Sequence, residues 1–153
     1  MDKQINELRR TRKFLTWILG IASCGLTLDL FLIAHYETIW QLLPIALLSI
    51  SIMILFLTGL FFRYWLIKAQ FILSIMVTVT GLIGSWLHFQ SNMDFELEMY
   101  PDLSSRELIW NALTGALPVM APCALIPYGL TTILLTKIWE IHEISLSKIN
   151  SIH

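Results

Sequence analysis

Two histidines and four carboxylates are the residues of this chain whose types could do chemistry together. His35 is followed two positions later by Glu37, and His88 by the run DFELEMY, in which Asp94, Glu96 and Glu98 recur at every second position. Imidazole nitrogens with carboxylate oxygens form a borderline ligand set of the kind that takes zinc, manganese or iron, so a divalent metal at this face is the cofactor the set would hold. The same groups also read as a proton-responsive cluster, because an imidazole beside carboxylates titrates near neutral pH. The spacing does not separate these readings. No HxxxH, HExxH or CxxC pattern occurs, and a histidine at a membrane boundary also serves as an amphipathic anchor.

Asp29 is a second candidate, as an ion or proton station. It is the only charged residue inside the four apolar runs described below. A carboxylate in a membrane helix is costly, so Asp29 is expected to face a helix bundle's interior, either on an ion path or as a buried acid fixing helix register. A third pattern is the stripe Ser74, Thr78, Gly81, Ser85, which climbs at helical spacing to His88, and a similar stripe of Thr16, Gly20, Ser23 and Thr27. Small stripes let membrane helices approach and exchange hydrogen bonds. They predict a contact between the first and third helices, which a joint His35–His88 site requires.

The elements that must position these residues follow from composition. The chain has 153 residues, 56% of them hydrophobic and 14% charged, with a mean hydropathy of +0.70. A soluble domain is about 25% charged. The apolar residues gather in runs 14–34, 42–62, 69–87 and 108–135. Each reaches or approaches the roughly 20 residues a helix needs to cross the ~30 Å hydrocarbon core, and runs this continuous are not the alternating strands of a barrel. The expected fold is an all-α integral membrane protein, a four-transmembrane-helix antiparallel bundle. The first run is longer than a signal-peptide core and no small-x-small cleavage pattern follows it, so it is read as a retained helix. Cys24 and Cys123 lie inside the runs without CxxC spacing, as small packing residues.

Basic residues orient this topology. Lys3, Arg9, Arg10, Arg12 and Lys13 in the tail 1–13, Arg63 and Lys68 between the second and third runs, and Lys137 and Lys148 near the C-terminus share one side; Arg106 stands alone on the other. The positive-inside rule makes both termini cytoplasmic, in a bacterial inner membrane. Trp17, Trp40, Trp65, Trp86, Trp110 and Trp139 all fall near proposed helix ends, where an interfacial belt would hold them.

The loop 88–107 then lies outside. Its alternation predicts an extended segment, with Asp94, Glu96 and Glu98 toward water and Phe95, Leu97 and Met99 on the bundle or interfacial lipid. SSRE at 104–107 predicts a capping box that starts the fourth helix near Ser105. Pro118, Pro122 and Pro127 predict a break or kink in that helix. Beyond Lys137, Ile138, Ile141, Ile144, Ile149 and Ile152 recur among polar residues, so 137–153 reads as an amphipathic cytoplasmic tail, with too little charge for nucleic acid.

Disulfide handling and mercury carriage would need paired cysteines, and a b-type cytochrome would need histidines within the spans. Three functions remain. The first is a non-enzymatic accessory or assembly subunit, docking through the acidic loop or the tail. The second is a small cation, metal or proton transporter, channel or sensor using the histidine–carboxylate cluster and Asp29. The third is an intramembrane metal-dependent enzyme. A bundle of only four helices has a narrow interior, so the partners expected are the lipid bilayer and further copies or subunits in an oligomer.

Overall fold

The computed structural model describes residues 2–61 and 63–150, with side chains over 6–61 and 63–141. Phe62, His142, Lys148, His153 and the tail isoleucines 144, 149 and 152 therefore lie outside the described side chains. Six helices run in order: α1 (Asp2–Leu32), α2 (Ile39–Leu60), α3 (Tyr64–Met99), α4 (Ser105–Thr114), α5 (Met120–Cys123) and α6 (Leu125–Asn150), with no strand among the described residues. Four stretches are long and apolar enough to cross a membrane: Asn6–Leu32, Ile39–Leu60, Tyr64–Met99 and Met120–Ile141. Helix is the expected outcome, because a spanning backbone must satisfy its own hydrogen bonds.

Local chemistry sets the helix ends. Beyond Leu32 the chain closes α1 with a Schellman motif: His35 N–H donates to Leu30 C=O at 2.9 Å and Ala34 N–H to Phe31 C=O at 3.1 Å. Ala34 occupies the left-handed position, at φ 54°, where glycine is usual. Thr38 caps α2 in a capping box, with Gln41 Oε1 accepting from Thr38 N–H at 3.0 Å. Ser104 caps α4 in the same way with Glu107.

The segment expected to be extended is helical. α3 continues through Asp94, Glu96 and Glu98 to Met99. No glycine or proline intervenes between Gly84 and Pro101, and Gln90, Met93, Glu96, Leu97, Glu98 and Met99 are good helix formers. The helix ends where Tyr100, preceding Pro101, disfavours the α region. On a helix the two-residue alternation loses its meaning: Asp94 and Glu98 lie one turn apart, and Glu96 points elsewhere.

The fourth apolar run is likewise not one span over 108–135. It divides into α4, α5 and α6, with Gly115–Val119 irregular and Ala124 between the last two helices. Pro118 lies in the irregular stretch, and Pro122 lies in α5. Pro127 is the third residue of α6, where its missing N–H has no intrahelical partner to lose. The spanning stretch is displaced to Met120–Ile141.

The chain resolves into two compact units, residues 1–77 with 128–153, and residues 78–127. In the first, α1 packs along α2, and Leu19, Leu48, Leu55, Ile67, Leu135 and Trp139 form part of the core. Trp139 is thus a core residue at 2% exposure, within α6, and Trp86 lies well inside α3.

Candidate functional site

The first unit is pinned by a buried polar junction built from five side chains on four helices. Ser23 Oγ (α1) stands 3.0 Å from Tyr128 Oη (α6) and 3.3 Å from Leu48 C=O (α2). Tyr128 Oη is 2.7 Å from Ser51 Oγ (α2), and Gln70 Nε2 (α3) donates to Ser51 Oγ at 2.8 Å. Ser74 Oγ–H donates to Gln70 C=O at 2.6 Å. Gln70 Oε1 is the one buried side-chain polar atom without a hydrogen-bond partner among the described residues. All these groups are neutral amides, hydroxyls and carbonyls, so they can bond helix to helix and fix their rotation. Of the five contributors, Ser23 and Ser74 belonged to the stripes noticed in the sequence. Gln70, the lone amide inside the third apolar run, was the available signal for the rest.

The second unit is organised by Asn92, 3% exposed on α3. Its Nδ2 donates to Ala112 C=O and to Leu117 C=O, both at 2.8 Å, and its Oδ1 accepts from Leu117 N–H at 3.0 Å. Gly115 admits this amide: a Cβ there would lie 2.7 Å from Asn92 Cγ. The clamp thereby occupies backbone groups around the irregular stretch between α4 and α5. Asn111 Nδ2 on α4 also donates to Glu96 Oε2, at 3.0 Å. Farther down α3, the small stripe meets the chain's own 118–126 segment. A Cβ on Gly81 would reach Ile126, Leu125 and Pro122 C=O at 3.0 Å, and one on Gly84 would reach Pro122 at 2.9 Å. Ser85 Oγ lies 3.0 Å from Cys123 Sγ, and His88 Nδ1 lies 3.2 Å from Pro118 C=O. The close approach expected of the stripe therefore exists, with this segment as the neighbour at Gly81, Ser85 and His88. On α1, Ser23 bonds to α2 and α6.

The candidate residues can now be placed within each unit. In the first, Asp29 lies in the last turn of α1 with an exposed side chain. It does not face the interior, because the buried strip of α1 runs through Leu19 and Ser23. His35 is half-buried at the Schellman turn. Glu37 is exposed, and its N–H donates to Gln41 Oε1 at 2.9 Å. In the second unit His88 and Glu96 are half-buried, while Asp94 and Glu98 are exposed one turn apart. Among the described residues, no three histidine, cysteine, aspartate or glutamate side chains are grouped so as to hold one metal ion.

Comparisons with protein-family models, curated proteins and solved structures found no match.

At the start of α4, Ser104 Oγ–H donates to Glu107 Oε2 at 2.6 Å, Ser104 N–H donates to the same oxygen at 3.2 Å, and Glu107 N–H donates back to Ser104 Oγ at 3.4 Å. The hydroxyl bond, then the backbone bond, hold the Glu107 carboxyl below its ordinary pKa. Arg106, Glu107, Ile109, Trp110 and Asn111 line a shallow groove beside it. Phe95, Leu97, Met99, Ile109 and Trp110 are large apolar side chains left exposed on the end of α3 and on α4. What this part of the second unit offers is a surface mixing acids and exposed aromatics on a clamped pair of helices.

Proposed function

We propose that this chain is a non-enzymatic subunit or assembly factor of a membrane complex, docking its partner through the end of α3 and α4. The observation that carries the reading is the Asn92 clamp, reinforced by Asn111 on Glu96. It makes the acid-rich segment a braced pair of helices with Asp94, Glu98, Phe95 and Trp110 displayed on it.

α3 has 36 residues, which is ~54 Å of helix against a hydrocarbon core of ~30 Å. Its polar end, 90–99, is the part suited to stand in water. Large apolar side chains exposed there mark a protein contact, anchored by aromatics such as Phe95 and Trp110. The acids select a partner with a basic rim. The nine-to-one division of basic residues supports cytoplasmic termini and, with them, an outer-face position for this surface in a bacterial inner membrane. The narrow interior supports assembly with further subunits. The transport reading draws on Asp29 as an inner station, and its outward-facing side chain favours docking instead.

The test is purification of the tagged full-length chain in mild detergent. Wild type is expected to carry a defined second membrane protein. Asp94→Lys with Glu98→Lys, and separately Phe95→Ser with Trp110→Ser, should lose it, while Asp29→Asn should retain it. Recovery of the wild-type chain alone, or of the same partner with both of these double variants, overturns docking. Cation flux in proteoliposomes that Asp29→Asn abolishes would put the transport reading in its place.

A further inference from the structure

We propose that the N-terminal turns of α1 bind the headgroups of anionic phospholipids. α1 is one uninterrupted helix from Asp2 to Leu32, so the basic run belongs to the same rod as the apolar span. Its 31 residues make ~46 Å, about 16 Å more than the hydrocarbon core. With the Schellman turn at the far end, the surplus falls on roughly the first ten to thirteen residues, which sets Arg9, Arg10 and Lys13 at headgroup level.

The geometry on this helix is specific. Arg10, Lys13, Phe14 and Trp17 follow one another at i, i+3, i+4 and i+7, the spacing of a single helix face. All four are exposed, Phe14 at 63% and Trp17 at 73%. Arg9 is exposed one turn before Lys13. A cationic patch thus passes directly into an aromatic one, the order in which a phosphate layer meets the interfacial zone of a bilayer.

Glu7 is the only acid near these cations along the described part of α1, and it stands against three bases. Among the described residues Arg9, Arg10 and Lys13 make no ion pair. Two other bases of this unit are engaged. Lys137 Nζ pairs with Glu140 at 2.9 Å and sits 4.9 Å from the centre of the Phe71 ring, and Lys68 Nζ sits 4.7 Å from the Tyr64 ring. Like charges spaced at i+3 and i+4 destabilise a bare helix, and a phosphodiester anion set between them removes that repulsion. The spanning part of α1 is also the least covered by the chain, with 11% of its window buried against 33–44% for the other three. Lipid is therefore the neighbour that charge complementarity and exposure both select.

The experiment is electron spin resonance of the full-length protein reconstituted in phosphatidylcholine membranes, with spin-labelled phosphatidylglycerol or phosphatidylcholine as probe. The motionally restricted fraction should be richer in phosphatidylglycerol by about five-fold, the preference one membrane-surface cation supplies. It should decline as salt rises. Arg9→Lys with Arg10→Lys should keep the preference. Arg9→Gln, Arg10→Gln and Lys13→Gln together should abolish it while leaving the total restricted lipid unchanged. Equal restriction of the two lipids by wild type, or a preference indifferent to salt, overturns the proposal without any variant having to fold. A preference that survives the triple substitution overturns it as well. The inference rests on the membrane-spanning reading and not on docking. Failure to restrict either lipid would sink both it and the spanning reading, whereas loss of the partner protein would leave the lipid preference intact.

Discussion

Asn92 grips both backbone polar groups of Leu117, accepting from the Leu117 N–H at 3.0 Å and donating to the Leu117 carbonyl at 2.8 Å. A side-chain amide is the group that can do this, because it carries donor and acceptor side by side. The bracing of α4 against the end of α3 depends on that pairing.

Substitution Asn92→Leu should therefore destabilise the second unit by about 1–3 kcal/mol, the usual consequence of leaving buried partners unsatisfied. Asn92→Asp should be at least as harmful, since it sets a carboxylate against the carbonyls of Ala112 and Leu117. Gly115→Ala should act in the same direction, because the amide it would displace is held by three hydrogen bonds. Amide hydrogen exchange over residues 105–119 reads all three variants. Protection as strong as in wild type for Asn92→Leu would show that the clamp does not hold the segment.

In the first unit, Tyr128→Phe and Gln70→Leu separate the junction's useful bonds from its unsatisfied one. Removing the Tyr128 hydroxyl takes one partner each from Ser23 and Ser51, which keep Leu48 C=O and Gln70 Nε2, and should reduce stability by about 0.5–2 kcal/mol, the range for hydrogen bonds between membrane helices. Gln70→Leu gives up one bond to Ser51 but also eliminates the partnerless Oε1. It should be close to neutral, because Ser51 keeps Tyr128 as a partner and no buried group is left unsatisfied. Reversible unfolding in mild detergent orders the pair, and a larger loss for Gln70→Leu than for Tyr128→Phe would contradict this account.

Four helices long and apolar enough to cross a membrane were legible because a helix crossing lipid must be apolar over the crossing, although the fourth is displaced from 108–135 to Met120–Ile141. The box at Ser104 and Glu107 was legible for a similar reason, since its bonds are made within four residues. What escaped were features decided at a distance or by what is missing. Strict alternation from Asp94 to Met99 suggested an extended segment, yet the absence of any breaker between Gly84 and Pro101 let α3 run on. Asn92 and Gly115 acquire their meaning only when α4 folds back on α3, and a lone asparagine in a polar segment announces nothing of that. Asp29 was assigned an inward face from hydropathy, which gives depth but no rotation about the helix axis. The histidine–carboxylate set is divided between two units, with Glu96 engaged by Asn111.

Ala34 offers a test of helix termination. It adopts φ 54° at the position of a Schellman motif where glycine is favoured. A left-handed conformation costs a residue bearing Cβ about 1–2 kcal/mol. Ala34→Gly relieves this, partly offset by the greater freedom of glycine in the unfolded chain. A gain of up to about 1 kcal/mol is expected, and Ala34→Val should cost more than Ala34→Gly gains. Thermal unfolding of the three proteins in one detergent measures the order, and a destabilised Ala34→Gly would show that the turn is not left-handed in the membrane.

Acidification should loosen the start of α4 through Glu107. The Ser104 hydroxyl and backbone N–H bond the ionised carboxylate and lower its pKa below the ordinary value, and the helix dipole favours the same charge in the first turn. A carboxyl with a lower pKa in the folded than in the unfolded chain contributes stability that is complete above the unfolded value. That contribution is lost as pH falls through the folded value. Exchange of the α4 N-terminal amides should therefore be flat near neutrality and speed up, beyond intrinsic exchange, only below the usual carboxylate range. Ser104→Ala should raise the Glu107 pKa toward its ordinary value, measurable from the side-chain carboxyl carbon resonance. Glu107→Gln keeps an acceptor for the Ser104 N–H and so should preserve the cap while removing its response to acid. An unchanged carboxyl titration in Ser104→Ala would mean that the 2.6 Å hydroxyl bond is not what holds the charge in place.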